Sequence, residues 1–150
     1  MSPEITLEDK FREWFLGDEA AVGYAGCIWD AIQRWDDLED EGKCEDHNEL
    51  LEWLAVGKNA HPFHIRFPVE LDTAWRVMIL SWRAANVLDH EPEHNAKAYM
   101  LRAAVYQVWH LMACMVGGAR HAHAIGPDIY RTYGETLAEY QEEMRCPHQS

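Results

Sequence analysis

The stretch DEAAVGYAGCIWDAIQRWDDLEDEG, residues 18–42, decides the fold. Tyr24, Cys27, Ile28, Ala31, Trp35 and Leu38 recur at three- and four-residue intervals, the period of one helix face. Asp18 opens the stretch and Gly42 closes it, which predicts a helix from Asp18 to about Glu41 with a glycine stop. Its last turns carry five carboxylates in six positions, Asp36, Asp37, Glu39, Asp40 and Glu41. Helix stability does not ask for them. A helix C-terminus already carries partial negative charge, and each like-charge i,i+4 pair costs about 0.2–0.5 kcal/mol.

The same period continues on both sides. A first helix runs from about Pro3 or Thr6 to Phe15, with Thr6 and Asp9 spaced as a capping box. A short third helix spans His47 to about Val56. A loop holding two prolines follows, from Gly57 to Pro68. The fourth helix runs from Pro68 or Val69 to Asp89 on a stripe of Leu71, Trp75, Met78, Trp82 and Ala85. Pro92 breaks it. The fifth runs from about Glu93 to Val116, and Gly117-Gly118 ends or kinks it. Gly126-Pro127 opens a sixth, on Ile129, Tyr133, Leu137, Tyr140 and Met144. Long helices with short links and almost no alternating pattern predict an all-α, single-domain antiparallel bundle of five to six helices over residues 1–150. An apolar remainder on the fourth helix would point to a homodimer.

Composition narrows the function classes. The 150 residues include 48% hydrophobic residues and seven tryptophans, so a packed core is expected. Thirteen Lys and Arg face 26 Asp and Glu, a net charge of −13. That disfavours direct binding to a nucleic-acid backbone, which needs cations to displace counterions. An acidic surface suits a basic partner, nucleic-acid mimicry, or metal ions that hold phosphate. No apolar run approaches the ~18–20 residues of a membrane span, and no signal peptide is legible. Cys27, Cys44, Cys114 and Cys146 form no CxxC pair, which fits free thiols in a reducing cytoplasm.

Three groups of residues could carry chemistry. At ~100° per residue, Asp30, Asp37 and Glu41 project within about 40° of one another. Carboxylates so placed suit Mg²⁺ or Mn²⁺, which take oxygen ligands and keep waters for a substrate phosphate. Asp36 and Asp40 form a second pair on the face away from the apolar stripe, and Glu39 is expected at the surface. On the fourth helix, Asp89 shares the inward stripe with Trp82, with Asn86 nearby. It is the expected carboxylate from an opposing helix, and Glu93 is the second choice. Arg102 and Arg83 are the arginines placed to grip a phosphate. The histidine pairs His61/His64 and His121/His123 have zinc-compatible spacing but no cysteine partners; His94 and His110 read as packing residues. There is no GxSxG, GxGxxG or P-loop.

Taken in order, Trp35 to Lys43, Asn59 to Phe63, Trp82 to Asn86, Arg102-Ala103, Gly117-Gly118 and Gly126 to Ile129 resemble small helical proteins of tailed phages and prophages. The loop departs from their Asn-Pro-Phe by reading Asn-Ala-His-Pro-Phe. The resemblance implies a phage origin, an all-helical fold and the cytoplasm of a host cell, and brings no activity. Asp36, Asp37 and Asp40 also resemble the DDxxD motif of isoprenoid-diphosphate synthases, which use Mg²⁺ to withdraw a diphosphate; this chain is about half their length and has one such motif. The expectation is a phage-encoded, Mg²⁺- or Mn²⁺-dependent enzyme acting on a phosphate or diphosphate ester. Asp30, Asp36, Asp37, Asp40, Glu41 and Asp89 would hold metal, and Arg102 and Arg83 would share the substrate's charge. The alternative is a non-enzymatic acidic protein that binds a host protein as an adaptor or nucleic-acid mimic.

Overall fold

A computed structural model describes residues 4–42 and 47–145 of the chain. It is an all-α antiparallel bundle, and every regular element among the described residues is helical. Helix α1 (Leu7–Trp14) starts at the expected capping box. The Asp9 N–H donates to Thr6 Oγ1 at 3.2 Å, and the Thr6 N–H donates to Asp9 Oδ2 at 3.1 Å. Leu16 (φ 52) and Gly17 (φ 76) turn the chain through left-handed conformations into α2 (Glu19–Glu41). Asp18 caps α2 by accepting from the Ala21 N–H, and Gly42 ends it at φ 65. Both boundaries match the sequence expectation.

The predicted loop from Gly57 to Pro68 is helical. After α3 (His47–Glu52), a π turn at Trp53–Gly57 and a turn at Lys58–Ala60 lead into α4 (Pro62–Arg66). Two prolines suggested a loop, but Pro62 stands at the first position of α4, where its missing N–H costs nothing. His61 caps that helix by accepting from the Phe63 N–H at 3.1 Å. Helix α5 (Pro68–Leu88) is the expected fourth helix, with Pro68 again in the first turn.

The predicted fifth helix is two. Helix α6 (Asn95–Arg102) stops at Ala103, and α7 (Ala104–Arg131) begins at once. Nothing in Leu101-Arg102-Ala103-Ala104 is a helix breaker, so composition gave no sign of it. Helix α7 bends at Gly118 (φ 87, ψ 170) and then runs through Pro127. The expected start of a helix at Gly126-Pro127 is therefore displaced to Leu137, where α8 (Leu137–Arg145) begins. The signal missed was Thr136-x-x-Glu139, a second capping box: the Glu139 N–H donates to Thr136 Oγ1 at 3.1 Å and the Thr136 N–H to Glu139 Oε2 at 3.4 Å.

Two cores hold the helices. The larger gathers Phe11, Trp14, Phe15, Tyr24, Ile28, Phe63, Leu71, Met78, Trp109 and Met112 from α1, α2, α4, α5 and α7. Each such side chain contributes about 1.5–3 kcal/mol by leaving water. A smaller core of Ala85, Ala98 and Tyr140, flanked by Leu88, Tyr99 and Leu101, joins the C-terminal half of α5 to α6 and α8. The ends of α2 and α5 lie between the two, and there the packing opens.

Candidate functional site

Two cavities flank this opening and share Ile32 and Trp82 as a common wall. The first is an apolar slot of about 470 Å³ between α2 and α5, with Leu54 from the π turn at one side. Trp35, Trp75, Ile79 and Trp82 line it, and Glu39, Arg83 and Asn86 supply its polar rim. Trp35 is 45% exposed although it continues the apolar stripe of α2. The stripe outlasts the core, and the slot is what lies beneath it.

The second cavity, about 230 Å³, is polar. Gln33, Asp36, Arg102, Tyr106, Tyr133 and Glu135 line it together with Trp29. Burial, then the charge of Asp40, pushes the Asp36 carboxyl above its ordinary range, against the pull of Arg102. Glu135 is raised too, by burial and then by hydrogen bonding with Glu143. Burial also raises the Tyr133 and Tyr106 phenols.

Asp89 and Asn86, expected on one inward face, meet Arg102 in a structural network. Arg102 donates from Nη2 to Asp89 Oδ2 and, at 2.8 Å, to Asn86 Oδ1; the Tyr140 hydroxyl donates to Asp89 Oδ1. Asn86 Nδ2 then donates to Glu39 Oε1 at 3.1 Å, so Glu39, at the surface as expected, also ties α2 to α5. Burial works to lower the Arg102 pKa, but the hydrogen bond and charge of Asp89, aided by Asp36 and Asp40, raise it on balance. The early end of α6 at Arg102 brings that guanidinium to Asp89.

The other expected ligands do not converge. Asp30 faces α3, where Arg34 Nε pairs with it at 3.1 Å while the same guanidinium reaches Glu49 at 3.6 Å. Asp37 and Asp40 are exposed and have no ion-pair partner among the described residues. The side chain of Glu41 lies outside the described residues, as do Lys43, Cys44 and Cys146. Glu93 is exposed in the link before α6. Among the described residues, no three His, Cys, Asp or Glu side chains gather as a metal-binding group. Asp89, the expected contribution from α5, is bonded to Arg102 and Tyr140 rather than to the acids of α2. Arg102 is likewise held, and Arg83 stands exposed on the slot's rim.

The histidines act as ties. His64, buried, bonds Asp72 Oδ1 at 2.9 Å. His110 reaches Tyr130 and the Ala122 carbonyl across the bend of α7. His121 Nε2 donates to the Trp14 carbonyl at 2.7 Å. Cys27 and Cys114 are free thiols, as expected. No described helix is long and apolar enough to cross a membrane. No protein-family model, curated protein or solved structure matches the chain.

Proposed function

We propose that this is a non-catalytic interaction protein that seats a basic segment of a partner protein. The segment anchors an apolar side chain in the α2–α5 slot and sets its cations against Asp36, Asp37, Glu39 and Asp40. One observation carries the reading: the tryptophan-lined slot opens beside Asp37, Glu39 and Asp40, which have no ion-pair partner among the described residues. Aromatic side chains in a partly water-excluded pocket supply most of the energy in protein interfaces. Unpaired surface charge of one sign raises encounter rates and selects the partner. The −13 net charge extends the same field over the whole molecule. A Mg²⁺-dependent phosphate-ester enzyme remains the competing proposal, and it now rests on Asp36, Asp37 and Asp40 from a single helix.

Titration calorimetry separates them. The probes are a peptide with one leucine flanked by lysines and arginines, and separately Mg²⁺ with and without pyrophosphate. The expected result is saturable peptide binding that weakens with salt and falls at least tenfold in Trp35→Ala, whose thermal stability stays close to the parent because Trp35 is half exposed. Saturable Mg²⁺ binding that pyrophosphate strengthens and Asp37→Asn abolishes would overturn the interaction reading in favour of the enzyme.

A further inference from the structure

Helix α5 is apolar on both sides. Leu71, Ala74, Trp75, Met78 and Ala85 face the core. On the side away from them, Thr73, Val77, Leu80, Ala84 and Val87 are all exposed, with Val77 at 51%, Leu80 at 64% and Val87 at 64%. Their spacing is four, three, four, three, the alternation of a coiled-coil seam. Val69 extends the stripe by a further turn at 73% exposure. Beside it runs a groove of about 440 Å³ where Glu70, Thr73, Val77 and Met78 meet Val108 and Leu111 of α7, with Glu70 an exposed acid at its N-terminal end. A helix apolar all round is ordinarily a buried one, and a contiguous exposed apolar patch marks an interaction site.

Beyond Glu70, the charges along the seam, from Thr73 to Val87, are arginines. Arg76 and Arg83 flank it one heptad apart, both exposed and without an ion-pair partner among the described residues, in a protein with twice as many acids as bases. In a coiled coil these positions choose the partner by charge. A second copy docked antiparallel through this seam brings Arg76 of one copy close to Arg83 of the other, like against like, and joins two molecules of charge −13.

We propose that the outer face of α5 is a docking surface for an amphipathic helix of a partner protein, with an apolar a/d seam and glutamates or aspartates at the flanking positions. The incoming helix lays its seam over Val77, Leu80, Ala84 and Val87 and sets its acids against Arg76 and Arg83. The apolar seam shares no residue with the α2–α5 slot, although Arg83 borders both, and it calls for a partner of the opposite charge.

The test uses the full chain and two labelled three-heptad peptides of one apolar seam, flanked by Glu in one and by Lys in the other, read by fluorescence anisotropy, with sedimentation of the protein alone. The expected result is saturable binding of the Glu-flanked peptide, at least tenfold weaker binding of the Lys-flanked one, and loss of both in Leu80→Glu. Leu80 is exposed, so this variant keeps its melting temperature. Arg76→Glu is expected to reverse the preference between peptides while Trp35→Ala leaves it unchanged, which separates this surface from the slot. Equal affinity for the two peptides, or binding of neither, would overturn the proposal. So would a dimer of the protein alone that Leu80→Glu dissociates, since a second copy would then cover the seam.

Discussion

Carboxylates at the two ends of α2 are the same chemical group in opposite states. At the N-terminal end, Asp18 caps its helix and accepts from Arg66 Nη1 at 2.8 Å. Burial works against its charge, but the bonds from Arg66 and Ala21 hold it below its usual pKa. Across the adjoining core, Asp128 accepts from the Trp14 indole N–H at 2.9 Å and pairs with Lys10 at 3.3 Å, and it too is lowered. At the C-terminal end, Asp36 is raised by burial and by Asp40. Where donors were placed, a carboxylate holds the fold together. Where carboxylates crowd beside open cavities, like charge and burial oppose their ionisation, and the fold gains less from them.

The network that divides the two regimes gives the largest expected effect. Asp89 is almost fully covered, and Arg102 balances its charge. Arg102→Ala is expected to lose about 2–3 kcal/mol, because removing one partner strands the other in a dry site; urea unfolding measures it. The double variant with Asp89→Asn should recover much of the loss. A single variant as stable as the parent would move Arg102 out of the structural network and reopen its role as a substrate-binding group.

Asp128→Ala comes second, at about 1–2 kcal/mol, because it leaves the buried indole N–H of Trp14 without an acceptor. The smallest effect has the opposite sign. The folded pKa of Asp36 lies above its unfolded value, so its contribution to stability is full below the unfolded value and is lost as pH rises through the folded one. Asp36→Asn is therefore expected to raise the melting temperature at pH 7 by a degree or two, with the gain shrinking as pH falls toward 4. Asp18 and Asp128, lowered in the fold, run the other way: their stabilisation is present at neutral pH and fades as acid carries the solution through their lowered values. Parallel melting curves of Asp36→Asn and Asp128→Ala against pH should thus slope in opposite directions. Identical slopes would erase the distinction between the two ends.

The fold was legible because its signals were local. Thr6, Asp18, Gly42 and Pro68 act within a turn of themselves, and each boundary they mark stands. Two missed boundaries carried local signals of their own, Pro62 at α4 and Thr136 at α8, and others were set by distant contacts. The break at Ala103 serves a guanidinium that reaches Asp89 thirteen positions back, and Gly126 is needed because His110 packs so close that a side chain would meet its ring at 2.8 Å. For the candidate site, Asp89 and Asn86 read as polar groups on an inward face that need partners, and Arg102 as a group for a substrate phosphate. Periodicity could not say that Arg102 would partner both. It also assigned Asp36 and Asp40 to an idle face, because a helix wheel does not show that Arg102 arrives there from α6. The slot was not legible: Trp35 reads as one more core position of the stripe, and its 45% exposure shows only in three dimensions.

The bend at Gly118 also sets an order of events. By folding α7 back, it delivers Asp128 and His121 to α1, so the contacts that fasten Trp14 join residues more than a hundred positions apart. Loops of that length close late, after local helices and their neighbours have formed. The junction of α1 with the far half of α7 is therefore expected to form after α1 has packed on α2.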